Sequence, residues 1–248
     1  MTNDSSNRLY ADLAWLWPLW GDPATEYAAY CEFMVKGLRR HARRELKTLL
    51  NAGCGGGKNL FTLRKHFQVT GLDLSEQMLA LAAELNPCCE LLRGDLRDYG
   101  LDREFDAVFL DDAISYLLTE DDLERSFRQA FKHLAPGGVL AFSIDATSEN
   151  FQNRRTQVFQ SIPSEKYPDT EVTYITNDYL QADGSVSNTF IYLIRRNGEL
   201  RIETDQHVCG LFPLETWRYL LERTGFQIAR DDYEENGDQY PSFFCLKP

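Results

Sequence analysis

The segment Leu49-Leu50-Asn51-Ala52-Gly53-Cys54-Gly55-Gly56-Gly57-Lys58-Asn59-Leu60 carries glycines at three alternate positions between a strand-like apolar run and a helix-like stretch. Glycine removes Cβ where a backbone must turn sharply and approach a ligand within van der Waals distance. A helix start adds free N–H donors and a partial positive charge. Three ligand classes use such a loop, and spacing separates them. A dinucleotide site needs GxGxxG; counted from Gly53 the third glycine falls on Lys58, and counted from Gly55 it falls on Leu60. A P-loop ending in Gly57-Lys58 needs glycine at 52 and Ser or Thr at 59, where the chain has Ala52 and Asn59. The spacing that fits is GxGxG with a small polar residue, Asn51, two places before it.

Two acids follow at matching places. Asp73, in Val69-Thr70-Gly71-Leu72-Asp73-Leu74-Ser75, ends the next apolar run. Strand ends of an open parallel sheet line its ligand crevice. A carboxylate there can accept two charge-assisted hydrogen bonds from a ribose diol; standing alone, an Asp before Leu-Ser is a helix cap. Asp95, in Arg93-Gly94-Asp95-Leu96, ends the third run and can accept from an exocyclic amine, with Leu74, Met78 and Leu96 walling an adenine ring. By itself it is a turn residue.

These positions need an alternating framework, and the chain supplies one. Short apolar runs at Thr48–Leu50, Val69–Leu72, Glu90–Leu92, Phe105–Leu110 and Val139–Ile144 read as strands. Helical segments lie between them at 58–66, 75–85 and 120–134, with Ser75 and Thr119 as N-caps. Alternation of this kind implies right-handed crossovers and a parallel sheet with helices on both faces, an α/β fold. Pro136-Gly137-Gly138 reads as a tight turn into the fifth strand. Upstream, the aromatic-rich Tyr10–Trp20 segment is too irregular for a strand, and Tyr27, Tyr30, Cys31, Met34, Val35, Leu38 and Ala42 form one face of an amphipathic helix. Downstream, Glu171–Tyr179, Val186–Arg195 and Leu200–Leu211 are long, rich in β-branched and aromatic residues, and separated by Asp183-Gly184 and Asn197-Gly198. They read as a three-stranded antiparallel insertion. Pro213 opens a last helix, Gly225 closes it, and Phe226–Ala229 and Phe243–Leu246 complete the sheet. The 248 residues therefore divide into an N-terminal helical cap (1–47), a ligand-binding half (48–146), the β insertion (147–211) and the end of the core sheet (212–248) within one domain.

Composition narrows the function. The formal charge is −12, from 26 Lys+Arg against 38 Asp+Glu, so the surface repels phosphate backbones and nucleic-acid partners are not expected. The basic cluster Arg39, Arg40, Arg43, Arg44 and Lys47 reads as the solvated back of the first helix. No apolar run approaches the ~20 residues of a membrane helix, and no signal peptide is evident, so a cytoplasmic protein is expected. The six cysteines show no CxxC pair and read as reduced; the four histidines form no metal cluster, so no metal is expected.

Together, Asn51–Gly57, Asp73, Gly94-Asp95-Leu96, Phe105-Asp106-Ala107-Val108 and Leu134-Ala135-Pro136-Gly137-Gly138 resemble the class I S-adenosylmethionine-dependent methyltransferases over residues 50–145. That resemblance implies a Rossmann-like, doubly wound seven-stranded sheet of order 3-2-1-4-5-7-6 with the last strand antiparallel. It places Gly53, Cys54 and Gly55 against the methionine part of S-adenosylmethionine, Asp73 on the ribose hydroxyls, and Asp95 with the Leu96 amide on the adenine. Asn51 departs from the acid usual at that position, and one reading of this is a catalytically silent cofactor-binding protein acting through a partner. Tyr10, with Tyr27 and Tyr30 beyond it, and the late β insertion resemble more specifically the small-molecule N-methyltransferases, including those acting on amino sugars. There an N-terminal tyrosine closes over the sulfonium, and Tyr10 matches it.

Methyl transfer from a sulfonium is an in-line displacement whose catalyst aligns the partners and excludes water. The segment Leu110-Asp111-Asp112-Ala113-Ile114-Ser115-Tyr116 follows the fourth strand, whose end abuts the glycine loop. Asp111 is expected at the cofactor; Asp111 or Asp112 could orient an amine and accept its proton, and Tyr116 could donate or accept a hydrogen bond. His207 on the third insertion strand is a further candidate base, set against a surface histidine. Trp15, Trp17 and Trp20 are candidate pocket walls. The expected function is methyl transfer to a small-molecule acceptor, an amine nitrogen first and a hydroxyl as the alternative, with the insertion a substrate lid or a homodimer contact.

Overall fold

The computed structural model describes residues 7–110 and 112–248. Five parallel strands, β1 (Thr48–Ala52), β2 (Gln68–Asp73), β3 (Glu90–Arg93), β4 (Phe105–Leu110) and β5 (Leu134–Ser143), form most of the central sheet. Around them run α1 (Ala28–His41), α2 (Lys58–Leu63), α3 (Glu76–Leu85) and α4 (Glu120–His133). An antiparallel insertion follows: β6 (Thr156–Gln160), β7 (Thr170–Leu180), β8 (Val186–Arg196) and β9 (Glu199–Cys209). Helix α5 (Leu214–Thr224), β10 (Gln227–Arg230), the small hairpin β11 (Tyr233–Glu235) and β12 (Asp238–Tyr240), and β13 (Ser242–Leu246) complete the chain. The seven-stranded order is β10-β13-β5-β4-β1-β2-β3, with β13 antiparallel to both neighbours. This is the Rossmann-like arrangement expected.

All six residues of β4 are buried, as a strand covered on both faces requires. Side-chain alternation divides the core: Leu50, Val108, Phe127, Phe142, Trp217 and Leu220 pack on one face, and Met34, Leu38, Leu49, Phe109 and Phe244 on the other. A third cluster joins the N-terminal 3₁₀ turns (Arg8–Tyr10 and Ala14–Leu19) to the insertion through Leu9, Leu13, Leu16, Leu19, Val172, Tyr192 and Ile194. The insertion thereby anchors the segment that carries Tyr10.

Three details differ from the expectations. The insertion has four strands, because the short, charge-flanked Thr156–Gln160 pairs with β7. Pro136-Gly137-Gly138 lies inside β5, where the register with β4 shifts between Phe105 and Ala107; the glycines form a bulge rather than a turn between elements. Helix α2 ends at Leu63, three residues early, and is six residues long. The basic cluster on α1 and beyond is paired, with Arg40 on Asp231, Arg44 on Asp106 and Lys47 on Glu45.

Candidate active site

At the end of β1 the chain folds over the tip of β2. The Gly53 and Cys54 amides both donate to the Leu72 carbonyl, at 2.7 and 3.0 Å, and the Gly55 amide donates to Asp73 Oδ2 at 2.8 Å. Gly53 and Gly55 sit at φ of +80° and +50°, the left-handed region that glycine adopts without strain. A Cβ on Gly53 would lie 2.3 Å from Ala113 Cβ, so the loop after β4 presses against this bend. On Gly55 the nearest atom would be Trp17 Cζ2 at 3.7 Å, and that side of the loop faces open space. Gly56 matters for another reason: Trp17 covers it, 2.4 Å from where a Cβ would stand.

That space is a cavity of ≈ 270 Å³. Asp73, Leu74, Asp95 and Leu96 line it at the ends of β2 and β3; Asp112, Ala113, Tyr116 and Leu117 line it after β4. Asp73 also accepts from the Ser75 amide at 2.9 Å, so each carboxylate oxygen holds one backbone N–H and keeps a lone pair. Burial pushes its pKa up against the Ser75, Gly55 and Leu74 amides. Ser75 caps α3 by accepting from Met78 N, as expected, and its hydroxyl also donates to the Tyr10 carbonyl at 2.5 Å.

Asp95 is engaged by a partner that the sequence does not announce. Arg97 holds it through its amide (2.8 Å), Nε (2.9 Å) and a second guanidinium nitrogen (2.6 Å), and this pairing keeps the Asp95 pKa below the usual range. Met78 is buried behind the wall rather than lining it. Asn51 is likewise not a lining residue: it is buried beneath the loop, with Nδ2 3.4 Å from the Phe109 carbonyl and Oδ1 without a partner among the described residues. Asp111 lies outside the described residues.

Opposite the acids stand two further surprises. Lys58 lines the cavity with its Nζ 2.5 Å from Glu26 and 5.5 Å from the Trp17 ring centre. Burial lowers the Lys58 pKa and raises that of Glu26, while the ion pair opposes both shifts. Of the three tryptophans only Trp17 is a lining residue, and its Nε1 has no partner among the described residues. Trp15 packs on Tyr167, and Trp20 stacks on Tyr192, so both join the insertion to the N-terminal segment instead.

At the far end, Tyr10 Oη lies 2.8 Å from Tyr116 Oη, which lies 2.6 Å from His207 Nδ1. His207 Nε2 is in turn 2.8 Å from Asp205 Oδ2. His207 is therefore not a surface residue; it and Asp205 are buried on the inner face of β9. Burial raises the pKa of both tyrosines, which stay neutral.

This architecture has known counterparts. A methyltransferase-domain family matches residues 49–138. The dTDP-3-amino-3,4,6-trideoxy-alpha-D-glucopyranose N,N-dimethyltransferase of Streptomyces venezuelae is 38% identical over 231 residues, covering 86% of this chain and 88% of the relative. The chain belongs to the S-adenosylmethionine-dependent methyltransferases. Its fold is that of Streptomyces venezuelae DesVI (TM-score 0.83, 24% identity, 96% of this chain and 98% of that one). It is also that of CalS10, an amino pentose methyltransferase from Micromonospora echinaspora, solved with S-adenosylmethionine bound (TM-score 0.79, 23% identity, 90% and 92%).

For a methyltransferase of this family the donor set is suitable. The cavity offers a half-buried carboxylate with spare lone pairs, a loop whose Gly55 side is open, an apolar wall at Leu74 and Leu96, and the polar side chains of Lys58 and Asn59. These fit a diol, a backbone-like chain, a base and a polar tail. The glycines, Asp73 and Asp95 stand out in sequence by spacing. Lys58–Glu26, Arg97–Asp95 and Asp205 do not, because each pairing is made by tertiary packing or a local turn that no residue pattern marks.

Proposed function

We propose that this methyltransferase transfers the methyl group of S-adenosylmethionine to the amino nitrogen of a small-molecule acceptor of the amino-sugar class. The observation that carries the reading is that one cavity joins both ends of such a reaction: the Asp73–Gly55 corner, and the Tyr10, Asp112 and Tyr116 group. The relative at 38% identity, named for a dTDP-amino sugar, supports the acceptor class.

Bound S-adenosylmethionine supplies an electrophilic methyl on a cationic sulfur. Asp73 would hold the ribose diol through the lone pairs left by Gly55 and Ser75. Leu74 and Leu96 would give the base apolar contact, and Asp95 Oδ2, which takes one Arg97 nitrogen, would accept from its amine. Lys58 and Asn59 sit beside Gly55 to meet the amino-acid end. Tyr10, pinned through its carbonyl to Ser75, covers the cavity with Trp17 and keeps water from the reacting pair. Asp112 and the tyrosine oxygens form an electronegative lining that draws in a cationic amine.

Purified protein incubated with methyl-labelled cofactor and a panel of dTDP-amino sugars is expected to yield a labelled N-methyl sugar nucleotide. Label appearing only on protein or RNA, or on hydroxyls of amine-free sugar nucleotides, overturns the reading.

A further inference from the structure

We propose that Tyr116, His207 and Asp205 form a proton relay that strips the acceptor ammonium before methyl transfer, with Asp205 and His207 acting as positioning residues behind Tyr116. The proposal rests on the amine reading above. An amine near a sugar ring is partly protonated at neutral pH, as α-amino groups with pKa of about 8 are, and only its free lone pair can attack carbon. Some group must take the proton before that lone pair can attack.

The hydrogen-bond directions follow from one end. Asp205 accepts the amides of Leu9 (2.7 Å, Oδ2) and Gln206 (2.9 Å, Oδ1) besides His207 Nε2. Burial alone would raise its pKa, but His207 and the Leu9 and Arg8 amides outweigh it and hold the carboxylate below its usual range, hence ionised. An ionised carboxylate only accepts, so Nε2 carries a hydrogen, and in the neutral ring the relay requires, Nδ1 presents a lone pair. Tyr116 Oη must then donate to Nδ1 at 2.6 Å and accept from Tyr10 Oη at 2.8 Å. Tyr116, a cavity-lining residue, thus keeps a lone pair for an incoming N–H.

The step balances. The acceptor's N–H bond breaks as its proton passes to Tyr116 Oη, and Tyr116 releases its own proton to His207 Nδ1. The amine keeps the electron pair, and the imidazolium charge rests against Asp205. Because burial pushes the Tyr116 pKa well up, the phenol passes a proton on rather than standing as a phenolate. The surroundings favour this path. From β8, Phe190 lies 4.7 Å from the imidazole and Asn188 faces it across the register, and neither bears charge. On β9, Cys209 is pushed up to about 11 by burial and stays neutral. Asp112 adds a negative charge within reach of both tyrosines, and Arg8, which faces the same strand, is neutralised by Asp12 and Glu203. Asp205 also fixes Leu9, so one carboxylate sets the imidazole tautomer and seats the turn that carries Tyr10.

The test is the pH profile of kcat/KM with a dTDP-amino sugar for wild type, His207→Gln, Asp205→Asn and Tyr116→Phe. Each variant is expected to lose about 10²-fold at neutral pH and to recover as pH rises through the acceptor's own pKa, where solvent supplies free amine. Variant profiles parallel to wild type, with or without a uniform loss, overturn the relay while leaving the amine reading intact. Absence of N-methyl product with wild type at every pH overturns the amine reading, and the relay with it. Histidine-selective ¹⁵N NMR of the ligand-free protein is expected to show His207 protonated at Nε2 alone; protonation at Nδ1 alone contradicts the proposal independently of activity.

Discussion

At the scale of single residues, Asp73 combines two tasks. It ties the glycine loop down through Gly55 and opens α3 through Ser75, while its remaining lone pairs face the cavity. Asp73→Ala is expected to weaken S-adenosylhomocysteine binding by about 2–4 kcal/mol, the loss of charge-assisted acceptors, with calorimetry as the check. A diol donates to the charged carboxylate, and burial holds the Asp73 pKa above the usual value. Affinity is therefore expected to fall on acidification at a higher pH than an ordinary aspartate would give. A pH-independent affinity through the acid range contradicts that role. Residue spacing made much of this corner legible, since Gly53, Gly55, Asp73, Asp95 and Leu96 all line one cavity. Asn51 and Met78 were expected there and instead pack beneath it, because a residue number on a strand or helix does not say which side of the wall its side chain takes. Asp205 was illegible: its meaning comes from Leu9 and His207 meeting it across a β-sheet.

At the scale of elements, the strands of the core were readable from apolar runs because both faces of a parallel sheet are covered. The hairpin β11–β12 and strand β6 were not, since exposed short strands show no apolar pattern. One contact holds the entry to β1 in place. Asp106, on β4, accepts the amides of Lys47 and Thr48 and the Thr48 hydroxyl, at 2.9, 2.9 and 3.0 Å, and pairs with Arg44 at 2.8 Å. Burial would raise its pKa, but these donors together leave it lowered. A carboxylate depressed in the folded state contributes stability above its unfolded pKa of about 3.9, and loses it as pH falls through the folded value. Asp106→Asn is expected to cost about 2 kcal/mol at pH 7 and to flatten the acid limb of the stability curve below about pH 4. Denaturant melts at pH 7 and pH 3 check this; an equal loss at both contradicts it.

At the scale of the whole molecule, the ends of the core strands and the N-terminal turns line the cavity, and the insertion braces those turns from behind. Trp20 against Tyr192 and Leu9 against Asp205 weld insertion and turns together, so the seat of Tyr10 depends on residues far apart in sequence. No helix among the described residues is long and apolar enough to cross a membrane. The space between the glycine loop, Asp73 and Tyr10 is the proposed seat of the adenosyl cofactor. Titrating ¹⁵N-labelled protein with S-adenosylhomocysteine, and following backbone amides by NMR, tests it most directly. Saturable shifts centred on Gly53, Gly55, Ser75 and Leu96 are the predicted result; binding that leaves those amides unmoved, or no binding, contradicts it.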